Sequence, residues 1–270
     1  MKIVDLSPEN ENLYCQCLED WSDDIKEAGD HKTRWVSWMK DKGLTVKMAA
    51  NDEGVIGGMI QYIPIELAAV EGRDLAYVLC IWVHGHKQGR GNFQKRGFGR
   101  ALIQAAEADA RAKGYKGMVT WGMSIPVFMR ASWFKKQGYR PVDRTGMQVL
   151  LWKPFTDDAR APRWMRPKKR PEPRPGKADV TVLINGWCPA MNMVTERAKR
   201  ASAEFGDKAD FRLIEVKEPA AIAEWGMSDG LYIGGKQVRT GPPPSFARIR
   251  KRVLKEAKKA GWRPEDERRP

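Results

Sequence analysis

Several things are scarce in these 270 residues, and each scarcity excludes something. Only four cysteines occur, Cys15, Cys17, Cys80 and Cys188, too few and too clustered for the disulfide framework of a secreted domain. No apolar run approaches the roughly 20 residues of a membrane span. The opening Met1-Lys2-Ile3 leads into no apolar stretch of signal-peptide type, so a cytoplasmic protein is expected. There are three histidines, and His84-x-His86 lacks a third and fourth ligand, so no metal is expected. Acidic residues are the minority, 34 against 48 basic, for a net charge of +14. Such a balance invites a nucleic-acid partner. Its location argues otherwise: eight basic residues face three acidic ones from Asp157 to Lys177, and ten face four from Arg248 to Pro270. The excess therefore sits in a connecting stretch and a tail. Without a stacking platform or a base-reading motif, a basic RNA-associated role is the weaker alternative.

What is present is most informative between residues 78 and 103. An apolar strand, Val78-Leu-Cys-Ile-Trp-Val83, runs into a glycine-rich basic loop, and the loop opens a helix near Phe98. Gly97 and Gly99 allow a tight turn and close approach of backbone to a ligand. The helix start aims unpaired N–H groups and the positive end of its dipole at an anion, and Lys95, Arg96 and Arg100 add charge. The combination suits a pyrophosphate. A Rossmann site would need a third glycine and a ribose-binding carboxylate, and a P-loop would need Gly-Lys-Ser/Thr; neither is there. A plain strand-to-helix turn without a ligand is the competing reading, because short glycine motifs are weak alone.

The flanks strengthen the ligand reading. Ser7-Pro8 starts a helix carrying Leu13, Cys17 and Leu18, and a second helix from about Lys32 to Lys42 buries Trp35, Val36 and Met39. Residues 44–50, 55–64 and 75–83 read as strands, 98–113 as a helix, 117–122 as a strand, 127–137 as a helix ended by Gly138, and 147–152 as a last strand. With this order of elements, Gln94-x-x-Gly97-x-Gly99 resembles the acyl-coenzyme A signature of the GNAT superfamily of N-acyltransferases. The resemblance implies a mixed central sheet flanked by helices, acetyl-coenzyme A (or coenzyme A) as cofactor, and a small-molecule or peptide amine as acceptor. It implies a cofactor site formed by Ile81, Trp82, Val83, Gln94, Lys95, Arg96, Gly97, Phe98, Gly99, Arg100 and Phe134, with Trp121 and Gly122 opposite the strand. Phe134 stands where many members carry a tyrosine that protonates the departing thiolate, and a phenyl ring has no proton to give. Cofactor binding without transfer is therefore the alternative. For a base, His84 and His86 are the nearest candidates, since an imidazole titrates near neutral pH. Cys80, inside the strand, reads as a small buried hydrophobe, and Cys15-x-Cys17, taken to lie within a helix, as a poor metal or disulfide pair.

After a proline- and arginine-rich stretch the second half reads as strand 180–184, turn Asn185-Gly-Trp-Cys-Pro189, helix 191–204, strand 211–216, helix 220–225, a hairpin through Gly234-Gly235, and helix 245–260. This order resembles the thioredoxin and glutaredoxin fold. Cys188 would be a reactive thiol at a helix N-terminus, but Met191 stands where a second cysteine would close a dithiol. Ser228-Asp229-Gly230 likewise stands where the fold normally has a cis-proline. Joining the two halves resembles two-domain bacterial and archaeal acetyltransferases, whose second domain the Gly241-Pro-Pro-Pro-Ser245 stretch also fits. The expected organisation is α/β throughout: a GNAT domain over 1–155, a linker over 156–178, a smaller thioredoxin-like domain over 179–262, and a charged tail over 263–270.

Overall fold

The structure, a computed structural model, describes residues 1–263; of the charged tail, all but Arg263 lies outside the described residues. Its first elements are β1 (Lys2–Asp5), α1 (Pro8–Cys15), α2 (Asp23–Lys26), α3 (His31–Met39), β2 (Thr45–Ala50), β3 (Ile56–Pro64), β4 (Val70–Glu71), β5 (Leu75–Val83), α4 (Phe98–Ala112), β6 (Gly117–Met123), α5 (Ala131–Lys136), β7 (Arg140–Thr145) and β8 (Gln148–Pro154). There follow β9 (Arg163–Trp164), β10 (Ala178–Ile184), α6 (Pro189–Ala203), β11 (Ala209–Glu215), α7 (Pro219–Trp225), β12 (Gly230–Ile233), β13 (Lys236–Val238) and α8 (Phe246–Lys259).

The chain divides into two compact units, one of residues 1–22 and 36–166, the other of 23–35 and the chain from Pro167 onward. This division departs from one drawn by composition at both ends. In the first unit β9 pairs with β4, and the Trp164 N–H donates to Asp143 Oδ2 at 2.9 Å. In the second, Glu27 receives Arg197 and Arg200, each at 2.8 Å, and His31 Nε2 lies 2.7 Å from Glu196. Such polar contacts between distant positions leave no mark on local composition.

A seven-stranded sheet in the order β1-β2-β3-β5-β6-β8-β7 organises the first unit, and among its neighbours only β5 and β6 run parallel. They do so because α4 carries the chain back between them. Phe98, Leu102, Ala106 and Ala110, with Ile103, recur at helical spacing and lay one face of α4 on Ile60, Tyr62, Ala76, Val78 and Met118. Burying a leucine or isoleucine there contributes about 1.5–3 kcal/mol. Three local expectations are corrected. Helix α1 stops at Cys15, since Cys17 and Leu18 both have positive φ, so Cys17 is not helical. The helix expected from 127 begins only at Ala131, after a bent segment in which Met129 has φ +51°. Strands β1 and β7 carry no clean apolar alternation and went unanticipated.

In the second unit a four-stranded sheet has the order β11-β10-β12-β13, with β10 parallel to β11 and antiparallel to β12. Strand β10 is buried along its whole length. Val194, Ala198 and Ala201 of α6 and Ile249, Val253 and Ala257 of α8 close the core over Val180, Val182, Ile184, Leu231 and Ile233. Among the described residues no helix is long and apolar enough to cross a membrane, and no cluster of three metal-ligating side chains occurs.

Candidate functional site

Strands β5 and β6 are bonded only where Leu75–Val78 face Gly117–Thr120. Beyond that point β5 continues to Val83 along β3, and β6 to Met123 along β8, with no pairing between them. A bulge accounts for the parting. The register between β3 and β5 shifts at Gln61/Tyr62, whose partners are Cys80 and Val78, so Leu79 is an extra residue, and a bulge bends and twists its strand. Main-chain groups of β5 thus face the gap instead of another strand. Two side chains reach them: Trp121 Nε1 donates to Leu79 O at 2.8 Å, and the Ile81 N–H donates to Met129 Sδ at 3.5 Å. A thioether is a weak acceptor, so that N–H is available to a better one.

The C-terminal end of β5 feeds the basic loop. The Gln94 N–H donates to Asn92 Oδ1 at 3.0 Å and its side-chain amide reaches back to Val83 O at 3.4 Å. Phe98 anchors the start of α4 by packing on Phe93, ring centroids 5.1 Å apart, while the Arg96 guanidinium lies 5.7 Å from the Phe93 ring. Gly97 is the N-cap residue with φ +87°, and Lys95 two positions earlier has φ +61°. The first N–H groups of α4, on Phe98, Gly99 and Arg100, have no carbonyl within the helix to receive them. No acidic residue occupies the first turn, and Lys95, Arg96, Gly97 and Arg100 are exposed. Backbone donors, dipole and cations thus converge without a competing carboxylate.

On the other side of Val83 the sequence expected a base. His84 is fully buried; its Nδ1 lies 2.6 Å from Gly91 O, and its Nε2 accepts from Trp21 Nε1 at 2.9 Å. Both ring nitrogens are thus occupied, which corrects the expectation that His84 abstracts a proton. His86 is exposed, its ring 5.8 Å from Trp21 and 5.4 Å from His84. The residue missed is Glu19, in the loop after α1. Burial pushes its carboxyl above the ordinary carboxylate range, and His84, His86 and the indoles of Trp82 and Trp21 pull it back in part. Nothing near Glu19 in sequence marked it, because its neighbours come from β5 and the loop beyond.

Phe134 is fully buried, in edge contact with Trp133 at 4.9 Å and Tyr139 at 5.7 Å. It belongs to the core, a correction to its expected place among cofactor contacts. In the second unit Cys188 is the N-cap residue of α6, with Pro189 first in the helix and the Asn192 N–H donating to Cys188 O at 2.9 Å. The loop before β12 meets this turn where the Asn185 N–H donates to Asp229 Oδ1 at 3.2 Å. Desolvation pushes the Asp229 carboxyl up to about 6, against the opposing pull of Asn185 and Ser228. All four cysteines are outside disulfides.

The model of the Acetyltransferase (GNAT) family matches residues 9–139, and this segment is a GNAT acetyltransferase domain. Among solved structures, the GNAT family N-acetyltransferase YhbS from Escherichia coli in complex with CoA is 16% identical, with 58% of this chain and 82% of that chain covered and a TM-score of 0.42. The PaiA N-acetyltransferase from Thermoplasma acidophilum in complex with coenzyme A is 15% identical, covering 57% and 99% with a TM-score of 0.41. A GNAT family acetyltransferase from Brucella melitensis in complex with acetyl-CoA is 18% identical, covering 59% and 90% with a TM-score of 0.40. A search of curated proteins gave no match.

Proposed function

We propose, from a GNAT acetyltransferase domain over residues 9–139, that the protein is an acetyl-coenzyme A-dependent N-acetyltransferase acting on a small-molecule or peptide amine. One observation carries the reading: the parted strands β5 and β6 end beside a carboxylate-free, cation-flanked helix start. A long amide-bearing arm fits the gap, where the Ile81 N–H can exchange a thioether for a carbonyl, and a pyrophosphate fits the N–H groups of α4 beside Lys95, Arg96 and Arg100. Acetyl-coenzyme A, when bound, supplies an acyl group activated as a thioester.

The protein's own part is to position the amine and take its proton. An ammonium has no lone pair, so a base must act first, and Glu19 fits: a half-buried carboxylate with elevated proton affinity. His86, exposed beside it, can relay the proton to solvent. His84 acts as a positioning residue, tying Trp21 to the loop at Gly91. Phe134, a buried phenyl ring, would supply no proton to a departing thiolate. That same phenyl ring favours a second reading, a coenzyme A-binding protein without transfer. In the second unit, the strand-helix-strand, helix, hairpin, helix order with Cys188 capping α6 supports a thioredoxin-like accessory domain with a single thiol. The function is read as cytoplasmic.

The test is acetyl transfer by Glu19→Gln over a pH series. Because the carboxyl must be ionised to act, wild-type kcat/KM should fall as pH drops through a value above the usual carboxylate range. The variant should lose roughly 10²–10⁴-fold at neutral pH and lose that acid limb. Full activity with the limb intact would remove Glu19 from the role and pass it to His86.

A further inference from the structure

Beside the parted strands, three exposed apolar side chains stand together: Ile125, Val127 and Phe128, each between 41% and 46% exposed. Single exposed hydrophobes are ordinary, but a cluster on one short segment is not. The segment is bent, the Val127 N–H donating to Ile125 O at 2.8 Å, and it is held at its ends, where Met123 N–H reaches Met129 O at 2.7 Å and Ser124 N–H reaches Met147 O at 2.9 Å. Phe128 is thereby set against the site. Its ring lies 5.7 Å from Trp82 and 5.9 Å from Trp121. Trp21, itself 38% exposed, is fixed through its N–H to His84. Glu19 feels both the Trp82 and the Trp21 indoles, and Trp82 in turn meets Phe128, so three separate stretches of chain bring aromatic rings to one side of the site.

The charge around this cluster is lopsided. The adjacent carboxylate, Asp20, is already paired with Arg90 at 3.0 Å, and the loop from His84 to Arg100 carries Lys87, Arg90, Lys95, Arg96 and Arg100. Of these two carboxylates, Glu19 is the one left for the acceptor, with cations nearby. A polyamine or polyamino sugar would meet that loop as a like charge and leave Val127 and Phe128 wet. A lone ammonium is held by a carboxylate and by aromatic faces together, and whatever carries it must cover an apolar surface.

Resting on the transferase reading, we propose that the acceptor is a monoamine carried on an aromatic or bulky apolar group, its ammonium at Glu19 and its apolar part between Phe128, Val127 and Trp21. The probe is phenethylammonium, titrated calorimetrically into the full-length protein loaded with coenzyme A, alongside ethylammonium and spermidine. Phenethylammonium should bind at least tenfold more tightly than either. Phe128→Ala should weaken it about tenfold while shifting ethylammonium less than twofold. Should Phe128→Ala fail to fold, Val127→Ser gives the same comparison at an exposed position. Equal affinity for the three amines, or a preference for spermidine, overturns the proposal while coenzyme A binding stands. Failure of the wild type to bind coenzyme A at all overturns the transferase reading instead. Sedimentation of the same variants separates a further outcome: if Phe128→Ala dissociates a dimer and leaves amine binding unchanged, the patch joins two copies of this chain and the proposal falls.

Discussion

Helix α4 carries its own control for the pyrophosphate site. Gly97 at its start has φ +87° and Gly114 just past its end has φ +82°, and a Cβ built on either would meet nothing within 4 Å. Replacing either by alanine forces an L side chain into left-handed backbone, at about 1–2 kcal/mol. In a unit of this size that lowers Tm by about 2–8 °C. On stability the two variants should be alike, since neither clashes. They should part on ligand affinity. Only the Gly97 methyl stands among Lys95, Arg96, Arg100 and the free N–H groups of α4, where it would hold a phosphate off its donors. Losing one charge-assisted hydrogen bond of about 1.5–3 kcal/mol corresponds to roughly a 10–100-fold rise in the Kd for coenzyme A, and Gly97→Val should lie at the upper end. Thermal unfolding and calorimetric titration of the variants give both readouts. Equal loss of coenzyme A affinity in Gly97→Ala and Gly114→Ala would refute the site, because strain common to both would then explain the effect.

Two further outcomes follow from buried or capped groups. Phe134→Tyr should leave the acetylation rate near wild type and cost about 1–3 kcal/mol in stability, because the new hydroxyl enters a core position of zero exposure; a rate gain of a hundredfold would instead show that the natural site lacks an acid it needs. Cys188 should react with iodoacetamide fastest of the four thiols, since it alone caps a helix N-terminus while Cys15 and Cys80 are buried, and peptide mapping showing no faster labelling there would leave the second unit a structural or recognition module.

How far the fold was legible depends on whether a signal was local. Strand β5 was read at Leu75–Val83 and helix α4 from Phe98 because each is a sustained period bounded by turn residues. In the second unit β10, β11, β12, α6, α7 and α8 lie within two residues of their expected bounds for the same reason, whereas the short α2 carried no such signal. Strand β7, Arg140–Thr145, alternates nothing and exists because β8 pairs with it. The bent segment before Ala131 exists because Gly122 lets the chain approach: a Cβ there would sit 2.8 Å from Ala131. Neither cause is visible within a window of neighbouring residues.

The same distinction divides the candidate site itself. On the donor side, recognition rests on backbone: a bulge at Leu79, a parting of two strands, and N–H groups at a helix start. Such a site asks little of side chains beyond a left-handed glycine and some positive charge. A short stretch of sequence therefore suffices to reveal it, and many different sequences can build it. On the acceptor side, recognition rests on side chains that meet only in the folded state, Glu19 and Trp21 after α1, Trp82 and His86 at the end of β5, Phe128 after β6. None is near another segment's residues in sequence, and each taken alone reads as an ordinary loop or core residue. His84 shows the hazard of judging by residue type, since an imidazole in the expected place proves to be a buried strut with both ring nitrogens engaged. Donor chemistry in such a protein is inherited with the backbone, whereas acceptor choice can drift by substitution in loops that bear little of the fold's stability. Exchanges at Trp21, Val127 or Phe128 should accordingly change which amine is used before they change whether coenzyme A is held.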